Sequence, residues 1–326
     1  MGVKSMEEVT VRGAGIFGLS VAWACLARGA RVTVIDPGGP GAGASGGVVG
    51  ALAPHVPENW NAKKQFQLDG LLDAPRFWSE VQDASGRDPG YARSGRLQLL
   101  PDAAALKRAG DRAATAQGVW KGQAVWEVTD DTAGWCVPGP VIRDTLSARI
   151  NPRAATLALA DAVRRRGGAI LTDGPDRGQV VWATGWQGLL SLSDALGRPM
   201  GAGVKGQAAI LSMACPDRPQ LYADGLHIVP HANGTVAVGS TSERDFDSPD
   251  AVDDLLDDVL TAARSSVPEL REAPVLARWA GVRPRARSRA PLLGPWPGRP
   301  GHFIANGGFK IGFAMAPKVG EVMAEL

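Results

Sequence analysis

Val9-Thr10-Val11-Arg12-Gly13-Ala14-Gly15-Ile16-Phe17-Gly18 decides how the rest of this chain is read. A short β-branched run feeds a G-x-G-x-x-G turn. An apolar, Ala-rich helix follows through Arg28, and a second strand, Arg31 to Ile35, ends on Asp36. Gly13 suits the tight turn, Gly15 lets backbone approach a pyrophosphate, and Gly18 lets helix and sheet pack closely. The helix N-terminus offers N–H donors and partial positive charge to phosphates. Asp36 stands where a carboxylate accepts hydrogen bonds from an adenosine ribose, which favours a ribose without a 2′-phosphate. Three glycines alone are a weak signal; between two strands, with an acid at this distance, they predict a dinucleotide site.

Next comes Pro37-Gly38-Gly39-Pro40-Gly41-Ala42-Gly43-Ala44-Ser45-Gly46-Gly47. By composition this is either a flexible linker or a second glycine-rich loop. It runs straight into the apolar Val48 to Pro54, which favours the loop. A nicotinamide dehydrogenase would more often continue with another strand–helix unit here. Two glycine loops suit a larger cofactor approached by backbone at two places.

The whole chain sets the limits. Its 326 residues are enough for two domains, or one with a lobe. A formal net charge of +2 predicts no strong bulk attraction to nucleic acid or membrane. Cys25, Cys136 and Cys215 are odd in number and form no C-x-x-C, so neither a disulfide framework nor a zinc site is expected, and no metal. Residues 1–8 lack the apolar core of a signal peptide, and Met6 stands where a myristoylation signal has Ser or Thr. No apolar run is long enough to span a membrane. The expectation is a soluble cytoplasmic protein.

Along the chain, hydrophobic periodicity predicts helices over 63–82, from Pro101-Asp102 to about 117, and over 152–166 with Asn151 as N-cap. An acidic helix is predicted from Ser248-Pro249 to about 264, its Asp253, Asp254, Asp257 and Asp258 forming a solvated face. A last helix runs from about 311. Strands are predicted at 96–100, 124–128, 170–171, 179–183, 208–213, 226–230, 235–239, 275–282 and 302–305, with Asn233-Gly234 as a hairpin turn. The 275–282 strand is expected to end at Arg283-Pro284. Helix–strand units at the start, middle and end are interrupted twice by antiparallel-looking material. That alternation predicts an α/β fold: a discontinuous Rossmann-like domain over 1–78, 140–200 and 281–326, and a mixed, largely antiparallel α+β substrate lobe over 79–139 and 201–280.

The chain resembles the FAD-dependent D-amino-acid oxidase and glycine oxidase superfamily, which also holds sarcosine oxidases. The residues that carry this are Gly13 to Asp36, the Gly43-Ala44-Ser45 loop leading to Leu52-Ala53-Pro54, and Asn151-Pro152-Arg153 before a helix. Val181-Trp182-Ala183-Thr184-Gly185, Gly206-Gln207 and Ile228-Val229-Pro230 continue it. Gly281-Val282-Arg283-Pro284, Pro291-Leu292-Leu293-Gly294, Gly307 to Gly312 and Ala316-Pro317 complete it. The C-terminal end is most similar to the bacterial glycine-oxidase branch.

The resemblance implies non-covalent FAD. Its contacts would fall on Gly13, Gly15, Ile16, Phe17, Gly18, Asp36 and Pro37, then on Gly43, Ala44, Ser45, Gly46, Ala51 and Ala53. Further contacts would come from Ala183, Thr184 and Gly185, and from Gly307, Gly308, Phe309, Lys310, Ile311 and Gly312. It also implies oxidation of the C–N bond of a small amino acid or secondary amine carrying a carboxylate, with hydride transfer to flavin N5. Oxygen or another acceptor would take the electrons. Arg283 falls on the family's substrate-carboxylate arginine, Lys310 replaces a second arginine, Gly308 a histidine, and Ser288 an acid. His227 stands where that branch has a tyrosine lining the pocket.

The residues themselves support Arg283, since an always-charged fork can hold a carboxylate by two parallel hydrogen bonds. Arg285, Arg287 and Arg289 follow at every second position and read as surface cations or as a patch for an anionic substrate or RNA. Lys310 is either near the flavin pyrimidine or substrate, or solvated; His227 is either a pocket base or a rim histidine. Two other functions fit the same residues. One is a tRNA-modifying oxidoreductase acting on a carboxymethylaminomethyl uridine, against which the near-neutral charge argues. The other is a flavin-holding accessory subunit. Homo-oligomers remain open.

Overall fold

The computed structural model describes residues 7–326, so the reading of Met1 to Met6 as neither signal peptide nor acylation site lies outside the described residues. The chain opens with β1 (Glu8–Arg12), α1 (Ile16–Ala27), β2 (Arg31–Ile35) and β3 (Ala51–Leu52). Next are α2 (Ala62–Ser85), β4 (Arg96–Leu99), α3 (Ala103–Trp120), β5 (Trp126–Thr129), β6 (Val141–Asp144) and β7 (Ala148–Arg149). The middle holds α4 (Pro152–Arg165), β8 (Ala169–Leu171), β9 (Gln179–Trp182), α5 (Gly185–Leu196) and β10 (Gly201–Ser212). Then follow β11 (Gln220–Ala223), β12 (Leu226–Pro230), β13 (Thr235–Gly239) and α6 (Leu255–Ser266). Finally come β14 (Val275–Ala286), β15 (Leu292–Pro295), β16 (His302–Asn306) and α7 (Gly312–Met323).

Two sheets organise these elements. The first has the order β15-β16-β9-β1-β2-β8, parallel except for edge strand β15. β1 lies between β2 and β9, with Val11 beside Val34 and Val181, so this strand is buried on both sides. Helices α1, α2, α4 and α7 pack together beside this sheet. Leu19, Trp78, Leu159 and Met315 are almost wholly buried there, and Trp78 stacks on Phe313 at 6.4 Å between ring centroids. The second sheet has the order β14-β10-β13-β12-β11-β4-β6-β5 and is antiparallel apart from β4 and β11. Its own core of Leu97, Leu211, Ile228, Val238 and Leu256 takes in the apolar face of α6. This is a mixed α/β fold, as the sequence predicts.

Local signals placed most elements. Asn61, Asp102 and Asn151 each accept a backbone N–H from the first turn of α2, α3 and α4, and Pro152 needs no donor at the first helical position. Several expectations need correction. β14 does not end at Arg283 but continues to Ala286 through Pro284. Pro284 is tolerated because β14 is an edge strand and the Pro284 carbonyl points away from β10, towards Phe309. The acidic helix begins at Leu255, because Asp253 is drawn off to Lys205 and Gln207 and caps the Leu255 N–H instead. Asp253 is therefore a tether as well as a surface carboxylate. Helix α5 and strands β11 and β15 were not expected, and β10 starts at Gly201 because pairing with β14 overrides its glycines. β6 and the last residues of β14 lie on the nucleotide side of the expected boundaries at 140 and 281, yet both pair in the eight-stranded sheet.

Candidate active site

The site is built from loops at the C-terminal ends of β1, β2, β9 and β16. Neighbouring β1 and β9 leave the sheet in opposite directions, which is where open parallel sheets form a ligand crevice. Gly13 has φ +109° and lies so close to the end of β9 that a Cβ would stand 2.3 Å from the Ala183 carbonyl oxygen. A Cβ on Gly18 would stand 1.9 Å from the Gly13 carbonyl oxygen, so the helix can leave the turn only without a side chain there. Asp36 Oδ2 accepts the Ala14 N–H at 2.7 Å and Oδ1 the Gly38 N–H at 2.9 Å. Each carboxylate oxygen retains a lone pair for a ribose hydroxyl. Pro37 beside it is exposed.

The second glycine-rich segment is an ordered loop. Ala44–Gly46 forms a single 3₁₀ turn, and the Ser45 hydroxyl accepts the Ile16 N–H at 2.9 Å, joining the two loops. Thr156 Oγ1 and Arg153 Nε, both on α4, donate to the Ser45 and Gly46 carbonyls. Beside this loop lies a cavity of about 340 Å³, walled by Gly41, Gly43, Gly46, Arg153 and Trp279 among others. Ala51 pairs with Arg149, and the Ala53 carbonyl accepts from Gln67. Buried His231 reaches from the other sheet to the Val48 carbonyl at 3.0 Å.

Gly307 to Phe309 form the hinge between the two sheets. Asn306 donates to the Gly185 carbonyl and accepts the Gly307 N–H, which fixes the Ala183-Thr184-Gly185 turn beside Gly307. A Cβ on Gly308 would stand 2.8 Å from Phe17 Cζ, while the Phe309 N–H donates to the Pro284 carbonyl at 3.0 Å. Ile311 and Gly312 follow at the head of α7, where Gly312 faces Ile16 and Phe17. So the glycine turn after β1 and the Arg283 strand meet through Gly308 and Phe309.

Three cations gather at Phe309. Arg283 Cζ, Arg285 Cζ and Lys310 Nζ lie 5.7, 5.6 and 5.8 Å from the centre of its ring. Arg283 is only 9% exposed, and among the described residues no carboxylate lies within ion-pair distance of it. Its Nη1 donates to Ser240 Oγ at 2.7 Å, and Nη2 donates to the Thr241 and Lys205 carbonyls at 2.7 and 3.2 Å. Nε has no partner. The fork that sequence offered to a carboxylate is thus partly engaged by the protein. Burial pushes the Arg283 guanidinium down to about 10, partly offset by Glu243, and it stays charged at neutral pH. Lys310 is held below the ordinary lysine range by desolvation and by Arg283 and Arg285.

His227 faces Tyr222 across the β11–β12 pair, ring centres 4.9 Å apart, and its Nδ1 has no partner. Desolvation, then the charges of Arg96 and Lys310, push it down to about 3, so it is neutral at ordinary pH. Arg96 is paired with buried Asp144 at 3.0 Å and lies 5.9 Å from the Tyr222 ring. Sequence reasoning missed Ser240 and Thr241, and read Arg285 as a surface cation or as part of a patch for an anionic substrate or RNA. Arg287 and Arg289 are exposed, as expected. Among the described residues, no group of His, Cys, Asp and Glu is placed to hold a metal ion, and no helix is long and apolar enough to cross a membrane.

Residues 8–326 match the DAO family, described as FAD dependent oxidoreductase. The glycine oxidase of Pseudomonas aeruginosa is 28% identical over 98% of this chain and 94% of its own length, and that of Pseudomonas putida is 26% identical over the same shares. The crystal structure of glycine oxidase from Geobacillus kaustophilus superposes with a TM-score of 0.87, at 21% identity over 98% of this chain and 95% of that one. The glycine turn, Asp36 and the braced Ser45 loop fit the adenosine, ribose and pyrophosphate of FAD. This chain belongs to the DAO family of FAD-dependent oxidoreductases.

Proposed function

We propose that the enzyme oxidises the C–N bond of a small amino acid or secondary amine whose carboxylate is taken by Arg283. The observation that carries this reading is a buried guanidinium with no carboxylate partner and an unpaired Nε, at the edge of the FAD-side hinge. A buried charge without a counterion is costly, and an anionic substrate removes that cost. Relatives named glycine oxidase support a glycine-type substrate.

FAD, when bound, supplies at N5 the acceptor for the hydride leaving the α-carbon. The chain's own residues bind and orient. Positive charge from Arg283, Arg285 and Lys310 disfavours a substrate ammonium and favours the uncharged amine. Neutral His227 presents an unpartnered imidazole nitrogen without adding charge. Loss of hydride from carbon and of a proton from nitrogen leaves an imine, which water converts to a carbonyl acid and an amine. Oxygen or another acceptor would take up the two electrons. The FAD-binding part is assigned to 1–78, 140–200 and 281–326 less the segments paired in the eight-stranded sheet, and the substrate lobe to the remainder. The free Cys25, Cys136 and Cys215 support a reducing, cytoplasmic setting.

The test is anaerobic mixing of the purified holoenzyme with glycine, sarcosine, proline and D-amino acids. Bleaching of the visible flavin bands by at least one carboxylated amine is expected. Bleaching only by amines that lack a carboxylate overturns the reading.

A further inference from the structure

The positive charge at Phe309 exceeds what one carboxylate needs. Arg283 and Arg285 are two residues apart on β14, so their side chains leave the same face of the sheet. Their guanidinium carbons lie 5.7 and 5.6 Å from the Phe309 ring centre, and Lys310 brings a third cation to 5.8 Å. Neither the Arg285 nor the Lys310 side chain makes an ion pair or hydrogen bond with any described residue. The nearby carboxylates are spoken for. Glu243 and Asp253 hold Lys205, at 3.4 and 3.1 Å, and Asp144 holds Arg96. Arg283 itself is nine-tenths buried with an orphan Nε.

A single α-carboxylate neutralises Arg283 and leaves two cations converging on the same ring. They repel each other at the rim of the site, where Lys310 reaches the surface; desolvation first, then the charges of Arg283 and Arg285, holds Lys310 below its ordinary range. A solvated surface arginine would extend into water; Arg285 turns back over Phe309 instead and is half-buried. A ligand with a second anionic group relieves this repulsion, and specificity for it follows from the differential gain.

We propose that Arg285 and Lys310 select amine substrates bearing a second anionic group, so that the preferred substrate class is an amine dicarboxylate rather than a simple amino acid. This rests on the reading of the site as a carboxylated-amine oxidase. Arg283 takes the carboxylate next to the reacting carbon, and Arg285 with Lys310 takes the second one. No new chemical step is required, because the same C–N bond is oxidised.

The experiment compares two unreactive ethers, diglycolate and methoxyacetate, in which oxygen replaces the amine nitrogen and only the second carboxylate differs. Binding to the FAD-loaded enzyme is measured by calorimetry and by perturbation of the flavin spectrum. Wild type is expected to bind diglycolate about tenfold or more tightly than methoxyacetate, and Arg285→Gln and Lys310→Met to shrink that ratio by about three- to tenfold each. A merely structural role for either residue would weaken both ligands and leave the ratio unmoved. Equal affinity of wild type for the two ethers overturns the proposal without any variant, as does a ratio unchanged in both variants. Methoxyacetate binding without a diglycolate advantage overturns only the second-anion inference. Failure of both ethers, and of every carboxylated amine, to bind or bleach overturns the oxidase reading with it.

Discussion

The Arg283 guanidinium occupies the space over Gly206 that any side chain would need: a Cβ on Gly206 would stand 2.0 Å from Nη2. The two residues sit on paired strands β14 and β10, and the missing side chain lets the guanidinium lie against the sheet and reach the Lys205 and Thr241 carbonyls. Gly206→Ala therefore pushes Arg283 out of place while leaving its charge intact. The expected result is retained FAD with kcat/KM lowered by about 10- to 100-fold on the carboxylated substrate, as for a positioning shift near 1 Å. Steady-state kinetics with flavin occupancy measured in parallel checks this; unchanged kinetics would show that the bonds to Lys205 and Thr241 do not place Arg283.

FAD retention depends on the first turn. Gly15→Val places a branched side chain where backbone must meet pyrophosphate, and where even a Cβ already stands 3.2 Å from Ser45 Oγ. The purified variant should carry no flavin. In wild type, acid precipitation should leave the yellow chromophore in the supernatant, because the cofactor is held without a covalent bond. Flavin that pellets with the protein contradicts this.

The lysine beneath Arg283 gives a stability prediction. Lys205 is 3% exposed and is paired with Glu243, whose side chain is 10% exposed, at 3.4 Å and with the half-exposed Asp253 at 3.1 Å. Removing the buried partner by Glu243→Ala should cost about 3 kcal/mol of unfolding free energy. Asp253→Asn, at a half-exposed position, should cost much less. Denaturant melts of the two holoenzyme variants decide it, and equal losses would contradict the argument that burial, not distance, sets which partner matters more.

The pH dependence follows from His227. Its folded-state value, about 3, lies below the unfolded value of 6.5, so between these the unfolded chain binds the proton and the native one does not. Stability contributed by neutral His227 is complete above pH 6.5 and is lost as pH falls towards 3. His55 and His231 are lowered by burial too and act in the same direction. His227→Phe should flatten the fall in thermal midpoint between pH 6.5 and 4, and wild-type kcat/KM should show no limb near 6.5 from this residue. An unchanged acid slope in His227→Phe contradicts the burial argument.

Most of the fold was legible because its signals are local. The turn after β1 carries its own glycine chemistry, and Asn151-Pro152 marks the start of α4 without reference to anything distant. What escaped was set by pairing. β10 begins with Gly201, Gly203 and Gly206, and only its long ladder with β14 makes it a strand. Had β14 been extended through Pro284, the two-residue period would have put Arg285 on the face of Arg283. Ser240 and Thr241 carry no such trace. They enter the site because β13 returns beside β10, one strand away from β14, which no window of sequence contains.

The central claim is that Arg283 binds the substrate carboxylate, and kcat/KM for Arg283→Lys against wild type tests it most directly. Lysine keeps the positive charge but lacks the planar fork that reaches Ser240, Lys205 and Thr241 together. Using the carboxylated amine that best bleaches the wild-type flavin, the variant should hold FAD normally. Its kcat/KM should fall by about tenfold or more, a part of the 30- to several-thousand-fold loss (about 2–5 kcal/mol) expected when Arg283→Ala removes the charge-assisted contact altogether. A FAD-loaded Arg283→Lys enzyme with near-normal kcat/KM on that substrate would contradict the account.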